Sequence, residues 1–385
     1  MLLELAGAAA LAIWIYLLFG RGGFWHMRDA LPVGALPAVA PGVVAVIPAR
    51  NEALVVARAI GSLAQQRYPG EFHMVLVDDD SSDGTAAAAR GAAPAGLLEV
   101  VRAGPVPAGW TGKLWATSEG IRAAHRFQAE YLLLTDADIV HPPENLSALA
   151  ARAGSCGYDM VSFMATLECR TLAERALIPA FVFFFFMLYP PAWIGSVRRG
   201  TAAAAGGCIL IRREILERVG GLAAIRGEVI DDCALARAVR RQGGRVWLGL
   251  SAATCSVRGY ASWGEIGRMI SRSAFAQLHH SAWLLIGTVL GLALTYMVPP
   301  ALAIAVRGPA AVLGAGGWFS MSVAYFPALR FYRRSPVWAP LLPAIAAFYL
   351  GATIHSAVCY WRGAGGRWKG RVQDGARKAT APNRL

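Results

Sequence analysis

A largely apolar run, Phe72 to Val77, meets Asp78, Asp79 and Asp80, with Ser81, Ser82, Asp83, Gly84 and Thr85 behind them. The run reads as a buried parallel strand. Any fold for this chain must therefore set one end of a buried strand in a polar place. Two unit charges ~4 Å apart repel by about 4 kcal/mol at an effective dielectric of ~20. A net-basic chain keeps such a cluster more readily where a ligand's donors or a cation sit against it. The plainer alternative is a turn, since Asp, Ser and Gly are turn formers.

The pattern recurs. Val43–Pro48 reads as a buried strand, and Asn51-Glu52 opens a helical stretch to Gln66. An alanine-rich helix begins near Thr85. Leu98–Arg102 is a third strand, Lys113–Phe127 a helix, and Tyr131–Thr135 a fourth strand ending at Asp136-Ala137-Asp138. This alternation predicts an α/β fold with a mostly parallel central sheet. Ligands bind such sheets at the C-terminal strand edge. Asn51-Glu52, the Asp78 cluster and Asp136/Asp138 all fall there. No GxGxxG follows the first strand and no Walker A sequence occurs, so the usual dinucleotide and P-loop readings are poor. Carboxylates repel a diphosphate unless a divalent cation bridges the two. A few oxygen ligands suit Mg2+ or Mn2+. A lone DxD is more often a loop than a metal site; this one gains weight by following a buried strand beside a second acidic edge.

Of 385 residues 56% are hydrophobic and 16% charged, and the net charge is +13. That is too apolar for an ordinary soluble protein and too charged in the middle for a simple transporter. Positive charge beside apolar segments suits an anionic membrane surface; no nucleic-acid motif accompanies it. Leu2–Phe19 has the length of a membrane span, and Arg21 and Arg28 behind it place the following residues in the cytoplasm. Residues 1–25 are then an N-terminal transmembrane anchor, 40–280 a cytoplasmic catalytic domain, 281–361 C-terminal membrane segments and 362–385 a basic tail. Those later segments are Trp283–Val306, Ala310–Leu329 and Val337–Trp361. Arg330, Arg333 and Arg334 should be cytoplasmic, and so should Arg362, Arg367, Lys369 and Arg371. Both clusters cannot be if 337–361 is a simple span. Pro340 and Pro343 allow a re-entrant or in-plane helix, and the choice stays open. The six cysteines show no CxxC or zinc spacing and read as free thiols in a reducing compartment.

The Pro48-Ala49-Arg50-Asn51-Glu52 run, the Asp78–Thr85 run, the Asp136-Ala137-Asp138 triplet and Gly112-Lys113 ahead of a helix resemble a family 2 glycosyltransferase of the GT-A fold. Ala204-Ala205-Gly206-Gly207-Cys208, Ile230-Asp231-Asp232-Cys233, Arg268 through Phe275 and Trp368-Lys369-Gly370-Arg371 resemble its hopene-associated subfamily. The resemblance implies a nucleotide-sugar donor, a UDP-sugar by preference, with Arg50, Glu52, Asp79, Lys113, Asp136 and Arg272 contacting it. It implies Asp138, with Asp136, as ligands of Mg2+ or Mn2+, and Asp232 as the catalytic carboxylate. Relatives carry Glu-Asp where this chain has Asp231-Asp232. The Trp of the family's Gln/Arg-x-x-Arg-Trp motif is missing at Ser273, which counts against a processive polymerase.

The resemblance implies direct displacement with inversion. Asp232 takes the proton of an acceptor hydroxyl, a contribution of about 10²–10⁴-fold. For Asp231-Asp232 the plainer alternative is a helix N-terminal pair favoured by the macrodipole; for Arg272, a juxtamembrane anchor; for Lys113, a solvated first-turn residue. His279-His280 suit an interfacial position, and Trp110 and Trp115 suit sugar stacking or plain packing. Ala176–Val197 is long enough to span, but a span there would put Asp138 and Asp232 on opposite sides of the membrane. An interfacial or re-entrant segment is expected instead. The expected activity is sugar transfer to a lipid acceptor, hopanoid-related by the resemblance, at a bacterial inner membrane. The alternatives are a polyprenyl-phosphate or ceramide-type acceptor, or a non-catalytic membrane scaffold.

Overall fold

The structure is a computed structural model describing residues 1–30, 36, 39–365, 367–368 and 371–372. Lys369, Gly370 and residues 373–385 of the expected basic tail lie outside the described residues. Eight strands form one sheet: β1 (Val43–Ala49), β2 (Phe72–Asp78), β3 (Leu98–Arg102), β4 (Tyr131–Thr135), β5 (Ile139–Val140), β6 (Met160–Thr166), β7 (Cys208–Arg212) and β8 (Val246–Ser256). Their order is β3-β2-β1-β4-β7-β6-β8-β5. The helices are α1 (Leu2–Phe19), α2 (Val56–Ala64), α3 (Thr85–Arg90), α4 (Gly112–Ala124), α5 (Asn145–Cys156), α6 (Leu172–Leu188) and α7 (Pro191–Ile194). They continue with α8 (Arg213–Arg218), α9 (Asp231–Arg241), α10 (Trp263–Ser271), α11 (Ala282–Leu292), α12 (Val298–Ala305), α13 (Pro309–Phe331) and α14 (Leu342–Trp361).

The apolar runs form the strands because they are covered on both faces, and every residue of β1 is buried. α4 lies so close on the sheet that a Cβ on Gly120 would stand 2.5 Å from Val46 Cγ1 and 2.7 Å from Val77 Cγ2. The four strands from β3 to β4 are parallel. The rest corrects the expectation of a mostly parallel sheet. β7 runs antiparallel to both β4 and β6, β8 is parallel to β6, and β5 is antiparallel to β8, so the sheet is mixed. The physical reason is the excursion from 167 to 207. It leaves the sheet at Thr166 and returns at Cys208 on the same edge, so β7 must run back beside β6. The helix expected from Asn51 begins at Val56. Asn51 takes a positive φ of 51°, and side chains from 81–85 hold the backbone of 51–53 in a clasp instead.

Among the described residues five helical stretches are long and apolar enough to cross a membrane: Leu2–Phe19, Leu172–Ile194, Ala282–Ala305, Pro309–Phe331 and Leu342–Trp361. They are not confined to the two ends as expected, because one stands in mid-chain. It packs with helices from both ends: Phe183 meets Phe24 and Tyr325, and Phe184 meets Tyr296 and Tyr349. α1 joins the same layer, with Trp14 edge-on to Tyr296 and its Nε1 donating to Thr295 O. Large apolar side chains stay uncovered on the outside, among them Phe19 (81% exposed), Trp283 (83%) and Ile304 (75%).

α14 follows α10 in parallel. Trp263 faces Phe348, Ser271 Oγ donates to Ala352 O, Ser356 Oγ accepts from Phe275 N, and His280 stacks on Tyr360. α6 follows α10 in the same sense, from Thr171 Oγ1 donating to Tyr260 O to Tyr189 bonded to Gln277. α14 thus lies along the domain. Arg333 and Arg334, lining a cleft with Thr166–Arg170, and Arg362, beyond Tyr360, both come out beside it.

Candidate active site

The aspartates that open the argument do not repel freely, because each is given its own donors. Asp78 Oδ1 accepts from Ser81 N, and Asp80 pairs with Arg102 at 2.7 Å. Asp83 accepts from Ala53 N and from Thr85 N and Oγ1. Thr85 Oγ1 in turn accepts from Glu52 N, and Ser81 Oγ from Asn51 N. Asp79 is 2% exposed. Arg50 Nη1 reaches its carbonyl at 2.5 Å and its Oδ2 at 3.6 Å. The loops after β1 and β2 are therefore one rigid rim.

At the end of β4, Asp136 Oδ1 holds Lys113 Nζ at 2.8 Å, and Asp231 Oδ2 holds the same ammonium at 3.5 Å. Lys113 sits in the first turn of α4, capped by Thr111. Burial works against its charge, but Asp136 and Asp231 overcome this and its pKa is raised. Burial raises the pKa of Asp136, opposed by Lys113.

Asp231 and Asp232 form the first turn of α9. Asp232 Oδ2 accepts from Gly206 N at 2.8 Å and Oδ1 from Cys233 N at 2.7 Å. The antiparallel β7 makes this possible, since its entry loop faces the edge where β4 ends. A Cβ on Gly206 would stand 3.3 Å from Lys113 Nζ and 3.4 Å from Asp232 Oδ2. Burial, then the charge of Asp231, push the Asp232 carboxyl up to about 6, with Lys113 and the two backbone N–H groups pulling the other way.

Asp138 accepts from Arg258 Nε at 2.9 Å and Ser256 Oγ at 3.2 Å, and the other arm of Arg258 grips Glu52. Sequence reading missed Arg258. Its partner is distant in the chain, and only its place just after the end of β8 hints at a role. Also missed was a buried chain of hydrogen bonds under the site. Thr135 Oγ1 donates to Gly207 O at 2.7 Å and meets His141 Nε2 at 2.9 Å. His141 Nδ1 meets Asn145 Nδ2 at 3.0 Å, and Asn145 Oδ1 accepts from Thr254. With the hydroxyl proton spent on Gly207, His141 must carry its proton on Nε2. Burial lowers its pKa to about 3, so it is neutral.

The structure thus gathers Arg50, Glu52, Asp79, Lys113, Asp136, Asp138 and Asp232 along one edge. Arg272 is set apart at the end of α10, exposed and in electrostatic range of Tyr260. Trp110 and Trp115 pack edge to face, with Trp115 Nε1 bonded to Gly104 O. For a divalent cation, Asp138 and Asp136 offer carboxylate oxygens at the cleft. Among the described residues no three His, Cys, Asp or Glu side chains form a complete ligand set. This fits an ion whose shell is finished by phosphate and water. Arg258 shows that Asp138 accepts a positive partner on its cleft side.

The fold is an α/β fold of the GT-A type, with these residues along one edge of its sheet. Residues 44–220 match the model of glycosyl transferase family 2. Among solved structures the chain is similar to the mannosyltransferase PcManGT from Pyrobaculum calidifontis, in complex with GDP-Man and Mn2+. The identity is 20%, with 92% of this chain and 98% of that one covered and a TM-score of 0.60. A weaker overlap is with S. aureus TarS 1-349 in complex with UDP-GlcNAc, at 16% identity, 86% and 95% coverage and a TM-score of 0.39. Among curated proteins there is no match.

Proposed function

We propose that this chain is a membrane-bound inverting glycosyltransferase that moves a sugar from a nucleotide-sugar to a hydroxyl of a lipid acceptor. The observation that carries this is Asp232. It is a carboxylate with a pKa of about 6, held by Gly206 N and Cys233 N, on the same edge as Lys113, Asp136 and Asp138 and beside the apolar helix layer. A base of that strength is mostly ionised at neutral pH and still takes a proton as the acceptor oxygen attacks. Asp232 receives the hydroxyl proton as the new C–O bond forms and the sugar–phosphate bond breaks. Asp79 and Arg50 bind the nucleoside, Glu52 and Arg258 border it, and Lys113 orients the donor against Asp136. Asp138, with Asp136, would hold Mg2+ or Mn2+, which as a Lewis acid stabilises the departing diphosphate.

The membrane reading rests on the five apolar helices and their uncovered faces. α6 leaves and re-enters the same sheet edge, so it lies in the interface with α10 and α14, while 2–19, 282–305 and 309–331 cross. The domain then faces the cytoplasm at a bacterial inner membrane. The hopanoid identity of the acceptor rests on the subfamily resemblance in sequence. The neighbour solved with GDP-Man makes a GDP-sugar as good a donor candidate as a UDP-sugar. Mass spectrometry of membrane lipids from cells with and without this protein tests the proposal. A glycolipid present only with the protein is expected, and identical lipid profiles would overturn it.

A further inference from the structure

Asp232 lines one pocket, and a second cavity lies nearby at Ile230 and Tyr189. The first is small, with Lys113, Asp136 and Asp231 set among apolar side chains. The second has a volume of about 390 Å³ and lies between the end of α6, the start of α9 and the 276–279 turn. That turn leads directly into the apolar stretch 282–305, so the cavity opens where the helix layer meets the domain. Its wall combines apolar surface with Tyr189 and Gln277, which are bonded to each other through Tyr189 Oη to Gln277 Oε1 at 3.0 Å and Gln277 Nε2 to Tyr189 Oη at 2.7 Å. Tyr189 is in electrostatic range of Asp232. The lining holds one arginine, Arg237, and one carboxylate, Glu228, whose charges offset each other, with His279 beside them.

We infer that this cavity receives the acceptor's head group, and that this group is a neutral hydroxylated one rather than a lipid phosphate. The inference rests on the proposed transfer to a lipid. Two arguments carry it. A phosphate entering here meets no excess of positive charge and approaches Asp231 and Asp232, so it is repelled. A phosphate oxygen is also already an anion and attacks without losing a proton, which leaves Asp232 without work. A hydroxyl must lose one, and Asp232 receives it as the glycosidic bond forms and the nucleoside diphosphate departs. Tyr189 and Gln277 offer both donors and acceptors, as a polyol or sugar head group requires.

The test gives membranes containing the full-length chain nucleotide-sugar labelled in the sugar, in separate GDP-mannose and UDP-glucose arms with Mn2+. The labelled lipid is then treated with mild acid, which cleaves a glycosyl phosphate and leaves a simple glycoside intact. A label that survives mild acid is expected. A label released by mild acid overturns the neutral head group and leaves lipid transfer standing. Donor consumed without any labelled lipid overturns lipid transfer itself. Gln277→Leu and Tyr189→Phe are expected to raise KM for the extracted acceptor about tenfold with KM for the donor unchanged. An equal rise in both would place these residues on the donor side and overturn the assignment.

Discussion

The pKa of Asp232 is set by neighbours that can be removed one at a time, and their removal has opposite signs. Asp231 pushes the Asp232 carboxyl up, and Lys113 pulls it down. Two unit charges ~6 Å apart interact by about 3 kcal/mol at an effective dielectric of ~20. Side chains at this site are part-exposed, 22% for Lys113 and 25% for Asp231, so solvent screening reduces that by roughly half. About one pH unit per neighbour remains, at ~1.36 kcal/mol per unit. Asp232 works as a base only when ionised, so kcat/KM falls on the acid side with a midpoint at about 6. Asp231→Asn moves that midpoint down by about one unit, and Lys113→Met moves it up by about one. The assay is kcat/KM for the nucleotide-sugar from pH 4.5 to 9. Midpoints that stay put, or shift in the same direction, refute the assignment of the acid limb to Asp232. Linkage gives a second reading with its own sign. The folded-state pKa is raised, so the stability Asp232 contributes is full below its ordinary value near 3.8 and is lost as pH rises through about 6.

The other expectations concern the frame of the site. Gly120→Ala drives a Cβ into Val46 and Val77 and is expected to cost about 1–3 kcal/mol by overpacking, read as a fall in Tm of several degrees. His141→Leu removes one buried hydrogen bond from each of Thr135 and Asn145 and is expected to cost about 1–3 kcal/mol, read by denaturant unfolding. In the wild type His141 is lowered to about 3, so its contribution is present above its ordinary value near 6.5 and is lost as pH falls toward 3. The histidine NMR resonance should accordingly show no titration between pH 5 and 8. Arg258→Gln frees Asp138 from its cation and is expected to tighten Mn2+ binding measured by electron paramagnetic resonance without donor; weaker binding would mean Arg258 helps to build the metal site.

The first half of the domain was legible because its strands are buried on both faces and end in acid. Phe72–Asp78 and Tyr131–Thr135 appear where the apolar runs predicted them. Asp79, Asp136, Asp138 and Asp232 were legible as types at strand and helix ends. What they bond was not. The four aspartates of the 78–83 stretch suggested a cation or ligand, yet backbone and side-chain donors from 50, 53, 81, 85 and 102 satisfy most of their oxygens. β7 and its reversed direction depend on a 41-residue excursion, which no local pattern encodes. Arg258 and Glu52 meet across 206 positions. His141 stands three residues after Asp138 and four before Asn145. That spacing was visible, but its meaning depends on Thr135, Gly207 and Thr254 converging from three other elements.

The central claim is that Asp232 takes the acceptor's proton, and Asp232→Asn tests it most directly. The amide keeps the size of the side chain and can still accept from one of Gly206 N and Cys233 N, so donor affinity, read by calorimetry with Mn2+, should stay within a few-fold. Turnover should fall by about 10²–10⁴-fold and lose its acid limb near pH 6. Donor binding with wild-type turnover in this variant would contradict the account.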